Sequence, residues 1–104
     1  MKLMTKALQK RLPALYSQEQ AVDPLVLIHY FNPYGGADWY ITEGSPEGDD
    51  VMLFGLCDLG LGFPELGYVS LGELASLKVP PFGLGIERDL YWSPKPLSAV
   101  AREH

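Results

Sequence analysis

Residues 38 to 57 read DWYITEGSPEGDDVMLFGLC, and this stretch decides the fold. β-Branched and aromatic residues favour extended backbone, so DWYITE (38–43) predicts one strand. The run VMLFGLC (51–57) predicts another strand, apolar enough to be central in a sheet. Between them, GSPEGDD (44–50) carries Gly, Pro and Asp, which permit or fix the torsions of a chain reversal, and it is expected to form a loop.

Side chains alternate between the two faces of a strand, so each face of the first predicted strand can be listed. One face is predicted to carry Trp39, Ile41 and Glu43. The other is predicted to carry Tyr40 and Thr42.

Four acids lie within or beside the predicted loop, namely Glu43, Glu47, Asp49 and Asp50. A calcium loop needs oxygen ligands at alternating positions, a central Gly and a closing Glu, and this order is missing. A magnesium site needs only one or two carboxylates besides substrate oxygens, so Glu43 with Asp49 or Asp50 is compatible with one. The turn residues around them favour a simpler interpretation, in which all four acids lie at a solvated reversal and are satisfied by water.

Three further runs predict strands. LVLIHYF (25–31) is apolar on both faces, which is typical of a strand covered on two sides. LGYVS (66–70) predicts a fourth strand and IERDLYW (86–92) a last one. Within the first run His29 is the one polar residue, and we expect it to be hydrogen-bonded and at least half-buried rather than a ligand.

Helix signals occur at both sides of these strands. TKALQKRL (5–12) predicts a short helix with Thr5 as its N-cap and Lys2, Lys6 and Lys10 opposite an apolar stripe. Ser70 followed by Glu73 forms a capping box, which predicts a second helix start. KVPPFGLG (78–85) is expected to be a loop, and SPKPLSAVAREH (93–104) a short C-terminal helix or tail.

The predicted fold is therefore α+β: an antiparallel sheet of four to five strands, with an N-terminal helix and a second helix starting at Ser70 packed against it. The 104 residues are expected to form a single domain, 1–104, because this length suffices for one core. The single Cys57 lies in an apolar strand, so burial is expected to raise its thiol pKa, which disfavours a nucleophilic pair with His29. A lone cysteine and the lack of an apolar run long enough for a membrane span predict a cytoplasmic protein.

Charge is unevenly distributed. Half of the eight basic residues precede every acid, and the net charge of −5 disfavours non-specific binding to nucleic acid. The basic candidates for contact with an anion or a partner are Lys2, Lys6, Lys10 and Arg11. The triplet Glu87, Arg88 and Asp89 is a further candidate, because an Arg between two acids can form a fixed charge pair.

Four segments together resemble a known bacterial family. They are LMTKALQKRLPALYSQE, WYITEGSPEGDDVMLFGL, ELGYVSLGELASL and GLGIERDLYWSPKPL, and they cover roughly residues 3 to 100. In this order they resemble the small proteins grouped as domain of unknown function 2958. The resemblance implies an origin on plasmids, integrative elements and phages, and it carries over no catalytic residues. This chain differs from the pattern at Val69, where an aromatic is expected, and in the EGDD extension of its acidic loop. The positions that match the pattern are Glu43, Gly55, Gly67, Tyr68, Ser70, Glu73, Leu74, Glu87, Arg88 and Asp89.

Joined to the lack of a reactive motif, the resemblance leads us to expect a non-enzymatic interaction or accessory protein of a mobile genetic element. Such a protein would modulate host defence or a DNA-processing complex. Its partner is expected to be another protein, with nucleic acid contacted only indirectly, no membrane and no cofactor. Candidates for partner or metal contact are Glu43, Glu47, Asp49, Asp50, Glu87, Arg88 and Asp89.

Two alternatives remain open. The first is a metal-assisted enzyme acting on a phosphoester, with Glu43, Asp49, Asp50 and Glu87 as ligands. The second is weak binding of single-stranded nucleic acid, in which aromatic side chains on the sheet stack on bases beside the basic N-terminal residues. The aromatic candidates are Tyr30, Trp39, Tyr40, Tyr91 and Trp92.

Overall fold

One antiparallel sheet of five strands organises the protein. In the computed structural model, which describes residues 2–79 and 84–102, these strands lie in the order β5-β4-β3-β2-β8. Two pairs of very short strands, β1 with β9 and β6 with β7, lie outside this sheet. The elements in chain order are α1 (Lys6–Arg11), β1 (Leu25–Val26), β2 (Ile28–Phe31), β3 (Asp38–Glu47), β4 (Asp50–Asp58), β5 (Glu65–Ser70), α2 (Leu71–Ser76), β6 (Lys78–Val79), β7 (Leu84–Gly85), β8 (Glu87–Arg88), β9 (Lys95–Pro96) and α3 (Leu97–Arg102). The predicted α+β class with an antiparallel sheet is confirmed.

The hairpin of β3 and β4 forms the middle of the sheet. Their pairing continues to Glu47 opposite Asp50, so only Gly48 and Asp49 form the turn. The predicted seven-residue loop is therefore wrong, because most of its turn-type residues extend the two strands. Gly48 has φ +60°, a torsion that glycine adopts without the steric cost of a side chain.

A β-bulge interrupts β3 at Thr42. Ile41 faces Gly55 on β4, but Glu43 faces Phe54, so one extra residue lies on the β3 side of the ladder. The extra residue reverses the alternation, and Glu43 lies on the same face as Phe54 instead of sharing a face with Ile41. The predicted placement of Glu43 beside Trp39 and Ile41 is therefore wrong.

Both faces of the sheet are covered by apolar side chains. One cluster contains Ile41 and Leu53 together with Leu12, just after α1, and Leu74 of α2. The other cluster contains Val26, Tyr40 and Leu56 together with Val100 of α3. The two-sided apolar pattern of residues 25–31 is explained by these two clusters, although the run is divided into β1 and β2.

The helix starts agree with the predicted caps. Thr5 Oγ1 accepts the Leu8 amide at 3.1 Å, and Ser70 Oγ accepts the Glu73 amide at 3.0 Å. The Glu73 carboxylate accepts the Ser70 amide in return at 3.4 Å, which completes the capping box.

Three predictions near the C-terminus need correction or completion. Only Glu87–Arg88 of the predicted strand 86–92 pairs in the sheet, because Asp89 accepts the Tyr91 amide at 3.0 Å and turns the chain. In the predicted loop 78–85, Lys78–Val79 pairs with Leu84–Gly85, while residues 80–83 lie outside the described residues. The C-terminal stretch contains α3, as expected.

Candidate interaction surface

Glu43 is buried rather than solvated. Its side chain is 4% exposed, and its two carboxylate oxygens accept the backbone amides of Tyr16 at 3.1 Å and Gln18 at 2.7 Å. These two hydrogen bonds replace part of the hydration that the carboxylate loses on burial. The prediction that water satisfies all four acids of the stretch is therefore wrong for Glu43.

The chain after α1 is held across the outer half of β3 by further hydrogen bonds. The Gly44 amide donates to Pro13 O at 2.9 Å, and the Leu15 amide donates to Ser45 Oγ at 2.9 Å. Tyr16 has φ +70°, a left-handed conformation that is costly for a residue with a large side chain. By accepting the amides of Tyr16 and Gln18, Glu43 holds this left-handed turn, and with it Tyr16, against the sheet.

A pocket of about 360 Å³ lies between this segment and the sheet. Its aromatic walls are Tyr16, Phe54 and Tyr68, with ring centroids 6.3 Å apart for Tyr16 and Tyr68 and 4.8 Å apart for Phe54 and Tyr68. Glu19 and the buried Glu43 are its two acids. We refer to it as the Tyr16–Tyr68 pocket. Its remaining lining residues are Gln18, Ala21, Val22, Pro24, Thr42, Leu66 and Leu97.

The surroundings of Tyr68 favour its neutral form. Desolvation by neighbouring groups, a hydrogen bond with Tyr16 and the charges of Glu19 and Glu43 raise the pKa of the Tyr68 hydroxyl. A tyrosine phenol is neutral at physiological pH even without this shift, so the Tyr68 ring presents an uncharged aromatic face.

An exposed apolar surface continues from the pocket along β5. Leu66 and Tyr68 on β5 are about half exposed, and Leu61 and Phe63 in the preceding connection are 73% and 80% exposed. Together with Leu59 they form what we call the β5 apolar surface. A depression of about 430 Å³ lies among these side chains. Apolar side chains concentrated at one place on a monomer's surface indicate an interaction site.

β5 is also an edge strand. Within residues 2–79 and 84–102 it pairs with β4 alone. The Ser70 amide points to Glu73 rather than to β4, and backbone groups alternate along a strand, so the amides of Tyr68 and Leu66 also point outward. The single charge on β5 is Glu65, and the strand lacks the lysines that often protect sheet edges.

The acidic candidates are spread over the sheet. Glu47 and Asp49 are exposed at the β3–β4 turn, about 13 Å along the strand from Glu43. Glu87 lies on β8, at the opposite edge of the sheet from β5. Among the described residues no group of three His, Cys, Asp or Glu side chains is arranged to hold a metal ion.

Asp50 has a structural role at the start of α2. Its Oδ1 accepts the Val51 amide at 2.7 Å and the Gly72 amide at 2.9 Å, which links β4 to the first turn of the helix. The Val51 amide, followed by the Gly72 amide and the Ser70 hydroxyl, lowers the pKa of Asp50 below 3.8, although burial opposes the shift.

A lowered carboxyl pKa gives stability that is present above the unfolded pKa and is lost as the pH falls through the folded pKa. We expect the urea midpoint of the wild-type protein to fall below pH 3.8 more steeply than that of the Asp50→Asn variant. Asp49→Asn, at the neighbouring exposed turn position, is the control and should retain the wild-type slope. Identical acid slopes for Asp50→Asn and the wild type would contradict this assignment.

Two carboxylates contact His29, those of Asp89 and Asp38. The sequence did not suggest Asp38 as a partner of His29. His29 Nδ1 lies 3.0 Å from Asp89 Oδ2 and Nε2 lies 2.7 Å from Asp38 Oδ1, and the ring stacks on Tyr40 at 4.7 Å. His29 is half-buried and hydrogen-bonded, as predicted. Both ring nitrogens contact carboxylates, so neither is open to take a proton from a substrate. His29 therefore joins β2, β3 and the residue after β8.

Cys57 lies on the opposite face of the sheet from His29. It faces Trp39, whereas His29 faces Tyr40. Burial raises the pKa of the Cys57 thiol, as predicted from its apolar strand. The two residues therefore do not form a nucleophile and base.

The basic candidates are exposed and divided between depressions. Lys6 and Lys10 border a depression beside Gly44, while Arg11 borders a second depression that Arg88 also lines. Lys2 is exposed as well.

The predicted aromatic platform is not open. Tyr30, Trp39 and Tyr40 are buried, and Tyr30 donates its hydroxyl to Leu3 O at 2.6 Å. Burial, opposed by the nearby charge of Arg88, raises the pKa of Tyr30. Tyr91 remains exposed, but stacking on several successive bases needs adjacent open rings.

No helix within residues 2–79 and 84–102 has the length and apolar character that crossing a membrane requires.

A family model described as "Protein of unknown function (DUF2958)" matches residues 3–103. The chain belongs to the DUF2958 family. This confirms the resemblance seen in the sequence. No curated protein and no solved structure matches the chain. In this DUF2958 chain, two of the positions named for the resemblance, Glu43 and Tyr68, line the Tyr16–Tyr68 pocket. Glu43 also anchors the Tyr16 segment, while Ser70 and Glu73 cap α2 after β5.

The sequence did not reveal the pocket or the β5 apolar surface. Residues 58–65, DLGLGFPE, contain the Gly and Pro residues that are typical of a turn. The signal that could have been used is the presence of Leu59, Leu61 and Phe63 within that turn, where polar residues are common.

Proposed function

We propose that this protein is a non-enzymatic interaction protein of a mobile genetic element, and that it binds a partner protein along β5. In this proposal the partner belongs to a host defence system or to a DNA-processing complex, as the family resemblance suggests. The docking site is inferred from the open edge of β5 and from four large exposed apolar side chains around it. These are Leu61, Phe63, Leu66 and Tyr68.

The proposed occupant is an extended segment of the partner that adds as a strand to β5. Outward backbone amides give such a segment hydrogen bonds, and exposed apolar side chains beside the edge give it pockets for alternate residues. A second copy of this chain is a poorer occupant, because the net charge is −5 and two acidic pockets would be brought together. A partner segment with basic residues is complementary to this surface.

The proposal predicts that a charge introduced on the β5 apolar surface weakens partner binding. We expect Leu66→Lys and Phe63→Lys each to weaken binding by about tenfold or more, because a lysine ammonium would have to be desolvated in the interface. The matched control is Tyr91→Lys, whose side chain is 95% exposed in the turn after β8.

The measurement has two stages. Cross-linked capture from lysate of the bacterial host, quantified by mass spectrometry, selects proteins that the wild type and Tyr91→Lys recover and both β5 variants lose. The selected protein is then purified, its affinity is measured by calorimetry, and hydrogen exchange is followed at the Leu66 and Tyr68 amides. Protection of these amides in the complex supports strand addition.

Three results would contradict the proposal. They are the absence of any stoichiometric partner, a partner whose affinity is unchanged by both β5 variants, and light scattering that shows a dimer broken by Leu66→Lys. The last result would identify a second copy as the occupant.

A further inference from the structure

We propose that the Tyr16–Tyr68 pocket receives a lysine or arginine side chain of the partner segment docked on β5. This inference rests on the proposed function, which it extends by naming the chemistry of one partner residue.

The charge of the pocket is the first reason. Its two ionisable acids are Glu19 and Glu43, and the described residues that line it include no Lys, Arg or His. Glu43 is buried, accepts one backbone amide on each oxygen, and makes no ion pair within the described part of the chain. A carboxylate oxygen can accept two hydrogen bonds, so each oxygen retains a lone pair. Buried charges are normally paired, and a cation in this pocket would complete the pairing.

The aromatic walls are the second reason. The Tyr16 and Tyr68 rings are tilted by 55° and the Phe54 and Tyr68 rings by 56°, so the three rings are not stacked on one another. A cation within about 6 Å of a ring centroid is attracted by the negative face of the ring. Aromatic faces beside carboxylates therefore favour an amine or guanidinium group that has an apolar stem.

Size and position favour a side chain over a larger ligand. The volume of about 360 Å³ is near the lower end of the range for small-molecule pockets. Leu66 and Tyr68 line the pocket and also belong to β5, so the pocket adjoins the proposed docking edge. A strand added to β5 would lie about 4.8 Å beyond it and direct alternate side chains to the face that carries Tyr68. A long side chain is needed to reach across Tyr68, and lysine and arginine are the long cationic ones.

The test uses the purified protein and single-residue probes. Isotope-labelled protein is titrated with N-acetyl-lysine methylamide and N-acetyl-arginine methylamide while amide NMR shifts are followed. N-acetyl-norleucine methylamide, which has an apolar chain without the charge, is the probe control. We expect saturable shifts at Tyr16, Gln18 and Tyr68 with at least one cationic probe, and binding that weakens as salt increases.

Variants assign the binding to the pocket. Glu19→Gln and Tyr68→Leu should each lower the affinity for the cationic probe by about threefold or more. The charge of Glu19 and the ring face of Tyr68 contribute separately to binding. Glu47→Gln, at the exposed turn, removes the same charge as Glu19→Gln outside the pocket and should leave binding unchanged.

Several results would overturn the inference: equal binding of the norleucine probe, no binding of either cation, or binding unaffected by Tyr68→Leu. Tighter binding of tetramethylammonium than of both side-chain probes would also overturn it, because it would indicate a free organic cation as the ligand. Failure here is distinguishable from failure of the proposed function. If neither cationic probe binds but the β5 lysine variants weaken partner binding, the proposed docking on β5 is supported and the assignment of the pocket is wrong.

Discussion

Replacing Glu43 by glutamine is expected to lower the free energy of unfolding by about 2 kcal/mol. The substitution keeps the shape of the side chain but turns one acceptor oxygen into an NH₂ group. That group would face the backbone amide of either Tyr16 or Gln18, each of which now donates to Glu43. Because Glu43 is buried, water cannot replace the lost acceptor. Urea unfolding at neutral pH measures the change.

The control for this prediction is Glu47→Gln, four residues along the same strand. Glu47 is exposed at the turn, so its substitution should alter the free energy of unfolding by less than about 0.5 kcal/mol. Hydrogen exchange gives a local readout, because the amides of Tyr16 and Gln18 should lose protection in Glu43→Gln alone. Equal stability of the two variants would show that Glu43 does not hold the segment after α1.

Replacing Gly55 by alanine is also expected to lower the free energy of unfolding strongly. A methyl group at Gly55 would lie 1.9 Å from Tyr40 O and 2.8 Å from Ile41 Cα, both of which are backbone atoms of β3. Backbone in the middle of a sheet cannot move away without breaking the ladder beside the bulge at Thr42. We therefore expect a loss of about 3 kcal/mol in the free energy of unfolding, at the upper end for an overpacked core.

Gly67→Ala provides a matched comparison, because Gly67 faces Gly55 directly on β5. Among the described residues other than Gly67 and its two chain neighbours, no heavy atom lies within 4 Å of a methyl group built at Gly67. The same chemical change should therefore alter the free energy of unfolding by no more than about 0.5 kcal/mol. Thermal and urea unfolding of both variants separate the steric effect at Gly55 from the general effect of removing a strand glycine. A Gly55→Ala protein as stable as Gly67→Ala would contradict the close approach of β3 to β4.

Local patterns predicted the features that depend on neighbouring residues. Thr5 and the pair Ser70 and Glu73 identified the two helix starts, because a cap involves residues three positions apart. Runs of apolar residues identified the principal strands, because such a run is also a pattern of neighbouring residues. The error in the loop 44–50 arose because Gly, Ser and Pro also fit the outer part of a hairpin when the partner strand is long enough to pair with them.

The candidate surface depends on distant residues and could not be predicted in this way. Glu43 meets the amides of Tyr16 and Gln18 across 27 and 25 residues of chain. The bulge at Thr42 turns Glu43 toward them, and a single sequence gives no local signal for one extra residue in a strand. The hydrogen bond between Asp38 and His29 could not be predicted for a related reason, because it depends on the register of β2 against β3.

The bulge at Thr42 separates the tip of the β3–β4 hairpin from the half of β3 that packs in the core. Beyond it the two strands project past Glu43 and end in a two-residue turn with exposed acids. Lengthening this projection by one residue on each strand preserves the register of everything before it, because paired residues are added together. The exposed turn at Gly48 and Asp49 can thus change in length without moving Glu43, whose carboxylate holds the segment that contains Tyr16.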